Sequence, residues 1–377
     1  MNKMPKNNNF PMRKVKEGSA EISIPIEEKI SRDLPVFYNP AMKLNRDISI
    51  LLLQQFPPMN ICDLLAGTGI RAIRMAEELK HKSIAANDNN KKAVDLIKKN
   101  MGCNKVKFKV YNEDANLFLL SSKGFDYIDV DPFGSSNPFL DAAIKRVSRD
   151  GILAVTNTDT AALTGTYQKT CIRKYWAVPK RDYMMHETGL RILIRKVQLI
   201  GMQYEKALIP VFSYYKGHYL RIFFKCIKGK KECNKIAELH GIFNGAGPLW
   251  LGAMWDRKLA NRMYSQLLKA MGNSASSEKT IKNNKITNQK SINKNYYDNE
   301  LLKFLKIIKE ESKINAAGFH DIHGAAKEKK LKVLIKKEDL IMKIRKKGYK
   351  AASTHFSGTG IRTDMDYKKF AKLIYRK

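Results

Sequence analysis

Asp131, Pro132, Phe133 and Gly134 follow directly on the apolar run 125–130. A strand ending this way delivers a carboxylate, a rigid turn and a flat ring to the carboxyl edge of a sheet, where open α/β sheets bind their ligands. The chemistry that suits such a set is methyl transfer to the exocyclic amine of a base. The lone pair of that nitrogen is delocalised into the ring, so the amine is a poor nucleophile. A carboxylate accepting one N–H, with a carbonyl made available by Pro132, orients the nitrogen and takes its proton as the new bond forms. With a methyl already activated on a sulfonium, most of the help is in-line placement, and Phe133 stacking on the base adds roughly 1 to 3 kcal/mol. The competing reading of Asp131 is a helix N-cap ahead of residues 137–140.

Such chemistry also needs a donor site, and the stretch Asp63-Leu64-Leu65-Ala66-Gly67-Thr68-Gly69 has the form of a strand-to-helix turn that provides one. Residues 61–65 read as a short strand, 66–69 as the turn and 70–80 as a helix with apolar residues at helical spacing. Glycines let the backbone approach a ligand closely, and the helix N-terminus offers its N–H groups. The next strand, 83–88, ends in Asp88, an acid placed to accept from a ribose hydroxyl pair. Gly67-Thr68-Gly69-Ile70-Arg71-Ala72 also fits a dinucleotide fingerprint, so a nicotinamide or flavin enzyme competes at this point. A helix over 91–100 and a strand over 106–111 lead to Asp114 and Ala115; Asp114 could pair with the amine of an adenine or cap the following helix. Two features separate the readings. A dehydrogenase has no use for Asp131-Pro132-Phe133-Gly134, and the strands 206–215 and 219–227 around Lys216-Gly217-His218 form an antiparallel hairpin. That hairpin closes a class I Rossmann-like methyltransferase sheet, not an all-parallel dinucleotide one.

The remaining segments frame this centre. Residues 15–35 alternate apolar and polar groups around 21–25, as an edge strand or hairpin arm does. Pro35-Val36-Phe37-Tyr38-Asn39-Pro40 is an extended loop that presents two aromatics; by itself it reads as a packed anchor more readily than as a ligand contact. A helix over 41–55 carries Arg46 and Asp47. After a helix over 141–147 and a fifth strand over 151–156, the polar loop 157–160 opens into a long helical stretch ending around Gly201. Its basic residues, Arg173, Lys174, Lys180 and Arg181 among them, could hold phosphates or be solvated surface. Residues 245–252 read as a rigid small-residue turn with an aromatic, 272–299 as a flexible or variable insertion, and 301–311 as an amphipathic helix. Residues 331–347 are Lys-rich and partly helical. The tail 353–364 has a composition suited to nucleic-acid contact, or to an ordered docking turn.

At 377 residues the chain suits two domains, an α/β methyltransferase domain over 1–228 and a smaller α+β domain over 229–377. A net charge of +34 calls for a polyanionic partner, even if a biased codon supply raised the lysine content. The apolar runs are too short for a membrane span and the first ten residues are too polar for a secretory signal. Five scattered cysteines suit a reducing cytoplasm. No metal is expected: Cys226 and Cys233 lack a second pair, and His320 and His323, though they could share a helix face, read as polar structure. Neither Cys171 nor Ser135 sits in a nucleophile elbow. A monomer is expected.

Taken together, these stretches resemble the archaeal and eukaryotic tRNA (guanine-26, N2) dimethyltransferases. The resemblance runs through residues 35–40 with Asn45-Arg46-Asp47, residues 63–74, Asp131-Pro132-Phe133-Gly134-Ser135, residues 247–252, and Thr354-His355-Phe356 with residues 360–364. It implies transfer of one or two methyl groups from S-adenosyl-L-methionine to the N2 amine of a tRNA guanine. It also implies donor contacts at Arg46, Arg71, Asp88, Asp114 and Ala115, a catalytic Asp131, and base stacking by Phe37 and Phe133. The target guanine would leave its stack to reach Asp131. Ser136 stands where the family often has Pro, Ser353 where it often has Arg, and four zinc cysteines of many members are missing, so packing must hold the second domain. Other readings stay open: a methyltransferase for another RNA base or a protein amide, or a non-catalytic RNA-binding protein with a vestigial donor pocket.

Overall fold

The computed structural model describes residues 11–26, 35–280, 296–330 and 335–374, the side chains of 273–280 excepted. The first ten residues, most of the 272–299 insertion and residues 331–334 lie outside this set. Packing groups the chain into two units, residues 1–129 and 130–377.

In the first unit, alternation produces a hairpin. Strands β1 (Met12–Glu17) and β2 (Ala20–Pro25) pair antiparallel from Met12↔Pro25 to Glu17↔Ala20. Ala20, Ile22 and Ile24 point one way and pack with Tyr38, Ile70 and Ile73, while Glu21 points to solvent. Helix α1 (Lys43–Leu53) follows, and then strand and helix alternate: β3 (Asn60–Asp63), α2 (Ile70–Glu78), β4 (Ser83–Asn87), α3 (Lys91–Asn104), β5 (Lys109–Tyr111), α4 (Ala115–Ser121) and β6 (Phe125–Val130). Crossover helices impose parallel pairing, and β3 lies between β4 and β6, with Asp63 level with both Ala86 and Asp129. Strand β5 starts three residues later than the sequence suggests, because Val106 and Phe108 pack against the hairpin core instead.

A buried ionic cluster ties the hairpin to α1 and α2. Glu17, 2 % exposed, accepts from Arg46 Nε and Nη2, both at 2.6 Å, and from Arg74 Nη1 at 2.9 Å. Arg74, fully buried, also bridges Asp47 at 2.7 Å and Glu78 at 2.8 Å.

The second unit continues with α5 (Asn137–Arg146), β7 (Val147–Asn157), α6 (Thr160–Leu163), α7 (Gln168–Tyr175), α8 (Met185–Met202), β8 (Lys206–Lys216) and β9 (Tyr219–Lys228). The long helical stretch expected from the sequence is thus three helices. Trp176 ends α7 in a left-handed conformation (φ 57°), and Pro179 lacks the N–H that continuation needs. The expected hairpin forms: β8 and β9 pair antiparallel, and β9 also pairs antiparallel with β7. The seven-stranded sheet has the order β5-β4-β3-β6-β7-β9-β8. This is the mixed order of the class I methyltransferase fold; from β3 the chain adds strands first on one side and then, from β6, on the other, which makes the gap between the parallel β3 and β6 a topological switch point.

Beyond it lie α9 (Lys230–Ala237), β10 (His240–Phe243), β11 (Ala246–Trp250), α10 (Arg257–Thr280), α11 (Asn299–Glu311), β12 (His320–Asp321), α12 (Ile322–Glu328), α13 (Lys337–Lys346), β13 (Ala351–Ser353), β14 (Gly360–Thr363) and α14 (Tyr367–Ala371). Most of the stretch 245–252, expected as a turn, is strand β11 paired with β10. His320 sits in a strand and His323 in the next helix, so they share no helix face. The tail is an internal element: Thr354, Phe356 and Arg362 are buried, which removes them from any surface role in nucleic-acid contact. Arg362 Nη2 meets Glu187 Oε2 of α8 at 2.6 Å and its Nε meets Glu311 Oε1 of α11 at 2.9 Å, while Ala316 and Gly318 carbonyls accept from Nη1. Glu311 also accepts from Thr354 and holds His355 Nδ1 at 2.6 Å.

Burial alone would raise the Glu17 carboxyl, but Arg46 and Arg74 overcome that and hold it at about 2. Glu311 is likewise raised by burial and brought down to about 2 by His355 and Arg362. A carboxyl whose folded pKa is depressed contributes stability that is complete above its ordinary value of 4.5 and is lost as pH falls toward 2. The urea midpoint should therefore drop across that window. Glu17→Gln should remove part of the slope and, by taking away the carboxylate that the buried Arg46 and Arg74 guanidinium groups share, lower stability at pH 7 by about 3–5 kcal/mol.

Candidate functional site

The first unit builds a cradle from strand tips. Past Asp63, the turn is held by backbone bonds from Leu64 N to Asp129 O at 3.2 Å and from Ala66 N to Asn87 O at 2.9 Å. Gly67 has φ 53°, and a Cβ there would lie 2.9 Å from the Phe37 carbonyl. Gly69, at φ 79°, is the N-cap of α2, where a Cβ would press on Ile97 at 3.0 Å. Both positions therefore need glycine, one for a close approach and one for the helix entry. The N–H of Gly67 donates to Asp88 Oδ2 at 2.8 Å, and Asn90 N donates to Asp88 Oδ1 at 2.9 Å. Burial raises the Asp88 pKa, while these two N–H donors work against the rise.

Asparagines that sequence reading passed over hold the neighbouring loops. Asn87 donates to the Glu113 carbonyl and accepts from the Glu113 N–H, and Asn112 donates to the Asp88 carbonyl at 2.9 Å. Asp114 caps α4, accepting from Asn116 N at 2.9 Å and Leu117 N at 3.1 Å, with Ala115 buried behind it. Asn90 donates to the Pro35 carbonyl at 2.9 Å, and Asn39 caps the turn at Ala41, so the Phe37 loop is fixed at both ends. The available signal was an Asn at a strand end or just before a helix, where its side chain closes turns and caps.

Asp63, Gly67, Gly69, Asp88, Asp114 and Ala115 thus gather at the tips of β3, β4 and β5 and the helix entries beyond them, with the Phe37 carbonyl against the turn. Arg46 and Arg71 face buried partners. Arg46 holds Glu17 and the Asn39 carbonyl at 3.1 Å. Arg71 Nη1 lies 3.1 Å from Asn45 Oδ1, 3.2 Å from Ser49 Oγ and 3.2 Å from Asp129 Oδ2, and the Tyr127 hydroxyl donates to the same Asp129 oxygen at 2.5 Å.

In the second unit, Asp131 is half-buried, Pro132 is buried and Phe133 is 43 % exposed. Asp131 is no helix cap: Ser136 takes the N-cap position of α5, without a side-chain bond. The loop is instead clamped by residues from the end of β7. Gly134 N donates to Thr158 Oγ1 at 2.7 Å, Thr158 N to the Gly134 carbonyl at 2.9 Å, and Ser136 N to Asn157 Oδ1 at 2.9 Å. A proline at position 136 would lack that last donor, so serine here adds a tie to the loop. Tyr175, which sequence reading did not single out, lies beneath it. Its hydroxyl is 3.0 Å from Ser135 Oγ, 3.2 Å from Asp159 Oδ2 and 3.4 Å from Asn157 Oδ1, and burial raises its pKa. With one proton to give, it serves one acceptor at a time. Such a clamp keeps a carboxylate and a ring in fixed relation, which suits a planar nitrogen base.

A family model described as N2,N2-dimethylguanosine tRNA methyltransferase matches residues 18–245 and 235–375. The chain is 34 % identical to a tRNA (guanine(26)-N(2)/guanine(27)-N(2))-dimethyltransferase of Aquifex aeolicus, over 96 % of this chain and 95 % of that one. It is 35 % identical to a tRNA (guanine(26)-N(2))-dimethyltransferase of Methanocaldococcus jannaschii, over 96 % and 98 %. The complex structure of Trm1 from Pyrococcus horikoshii with S-adenosyl-L-methionine superposes with a TM-score of 0.81 at 32 % identity, covering 97 % of this chain and all of that one.

The Tyr175 clamp has its own consequence. Tyr175→Phe removes a hydroxyl that Ser135 and its neighbours use, so stability should fall by about 1 kcal/mol in urea denaturation. Amide exchange at residues 134–136 should quicken in the same variant; unchanged exchange would show that Asn157 and Thr158 hold the loop unaided.

Proposed function

The chain belongs to the N2,N2-dimethylguanosine tRNA methyltransferase family, and from that premise we propose how its residues divide the work. It transfers methyl groups from S-adenosyl-L-methionine to the N2 amine of guanine-26 in tRNA. When bound, the donor supplies a methyl activated by a sulfonium centre. The glycine turn fits such a group: a Cβ at Gly67 would fill the close approach to Phe37, and the Asp88 carboxylate stands at the turn. Each Asp88 oxygen accepts one backbone N–H, which leaves lone pairs for a ribose hydroxyl pair. Asp63, Gly69, Asp114 and Ala115 complete the proposed donor set. Arg46 and Arg71 belong to it as well; each has five N–H donors to share between the carboxylate it holds and the donor.

Asp131 is assigned to accept an N–H of the amine, turn the nitrogen lone pair toward the methyl, and take the proton as the N–C bond forms. Phe133 and Phe37 stack on the base. The observation that carries this reading is the Asp131-Pro132-Phe133 loop, with its backbone tied by Thr158 and Asn157 and its ring left 43 % exposed. A ring exposed to that extent, two residues from the Asp131 carboxylate along a tied loop, offers a face on which a base can stack. Residues 1–228 are proposed as the methyl-transferring domain and 229–377 as the part that helps to grip tRNA. Five free thiols support a cytoplasmic location.

Asp131→Ala should abolish methyl transfer while tRNA and donor affinities stay within about threefold; normal turnover in this variant would remove the assigned role. Phe133→Ala should slow single-turnover transfer by roughly 5- to 150-fold, the equivalent of one stacked base, with donor binding unchanged in a separate titration. Mapping labelled methyl along the tRNA gives the position, and label at both 26 and 27 would match the name of the Aquifex relative.

A further inference from the structure

Helix α7 and the segment after it carry a feature that the methyl-transfer chemistry does not use. Trp176 ends the helix, 47 % exposed, in the left-handed region at φ 57°. Glycine or asparagine is the usual occupant of such a helix end, and a bulky residue there is strained. The other two tryptophans of the chain, Trp250 and Trp255, are 3 % and 7 % exposed. The backbone conformation therefore disfavours a large aromatic at position 176.

The ring is nonetheless held rigidly. Lys196 Nζ sits 2.9 Å from the centre of the Trp176 ring, and Lys196 is itself buried, so a cation supports one face. Arg195 Nη1 donates to the Trp176 carbonyl at 3.3 Å, the Trp176 N–H donates to Ile172 O at 3.1 Å, and Val178 exchanges two backbone bonds with Gly247 at 2.7 and 2.8 Å. The same frame reaches the Asp131 loop. Tyr175, next in the chain, bonds Ser135, and the Lys174 carbonyl accepts from Asn137 Nδ2 at 3.0 Å. Along the chain on either side of Trp176, Lys169, Arg173, Lys174, Lys180 and Arg181 are all exposed; Lys174 meets Asp159 at 3.2 Å and Lys180 lies 3.7 Å from Asp182, which leaves an excess of positive charge on the segment. Exposed aromatic and basic side chains on one frame match the two parts of a nucleotide, a base to stack and a phosphate to neutralise.

We propose that Trp176 is a stacking platform for an unstacked tRNA nucleotide other than the methylated guanine, with the surrounding lysines and arginines on its phosphates. The inference rests on tRNA being the substrate and adds a second point of grip, fixed to the same backbone frame as the Asp131 loop. Bases splayed out of RNA structure commonly stack on aromatic side chains, and the contact is sequence-tolerant because every base has a π-face. The platform therefore contributes to holding and positioning the tRNA, not to choosing the base that reacts.

Tryptophan emission tests this in the full-length protein, because Trp176 is the exposed member of the three. Titration with tRNA should quench wild-type emission saturably. Trp176→Phe should abolish most of that quench yet keep tRNA affinity within about threefold, since a phenyl ring still stacks. Trp176→Ala should weaken tRNA binding by roughly 5- to 150-fold, the loss of one base–aromatic contact, while donor affinity and the single-turnover rate at saturating tRNA stay unchanged. A quench that survives in Trp176→Phe, or wild-type tRNA affinity in Trp176→Ala, overturns the platform. Methyl transfer by the wild-type protein is read in the same samples, so transfer to guanine-26 alongside an unaffected Trp176→Ala refutes the platform alone and leaves the proposed function standing.

Discussion

A single carboxylate, Glu17 at the hairpin turn, governs the order of the first unit. It is buried between Arg46 of α1 and Arg74 of α2, and its desolvation is tolerable only because both guanidinium groups reach it at 2.6 to 2.9 Å. Removing water strengthens these attractions and equally raises the penalty of any partial separation. The hairpin, α1 and α2 are thereby fixed in one arrangement. That arrangement sets the entry of α2, where the glycine turn lies, and the loop carrying Phe37, whose Asn39 carbonyl also accepts from Arg46. Walls without an alternative packing suit the proposed holding of a small flexible donor at this turn.

The second unit repeats the device at its far end. Arg362, Glu187, Glu311 and His355 form a buried network in which every charged group has an opposite partner, and backbone carbonyls at 316 and 318 take further donors. It joins α8, which follows the basic segment, to α11 and β14 near the C-terminus. In this chain the region is packed around this network and an apolar cluster built on Leu340, Ile344, Ile361 and Phe370. The Thr354-His355-Phe356 stretch that looked suited to nucleic-acid contact serves that internal role.

The Asp131 loop is held differently, by neutral hydrogen bonds from Asn157, Thr158 and Tyr175. These bonds fix the backbone of residues 134–136.

Much of this was legible in the amino-acid order. Periodicity located the alternating strands and helices, and the antiparallel pair at 206–228 marked the fold, while the glycine turn, Asp88 and the Asp131-Pro132-Phe133 stretch marked the proposed site, because each depends on residues close together in the chain. Glycine, proline and alternation report local backbone geometry, and local geometry is what a linear reading can recover. What it could not recover were partnerships across long separations: Glu17 with Arg74, Ser135 with Tyr175, Lys196 with Trp176, Glu187 with Arg362. A lone charged or aromatic residue has the same appearance in sequence whether it ends in water or in a buried pair. Folding alone assigns it a partner, because desolvation and electrostatic attraction depend on distances in space that the order of residues does not encode.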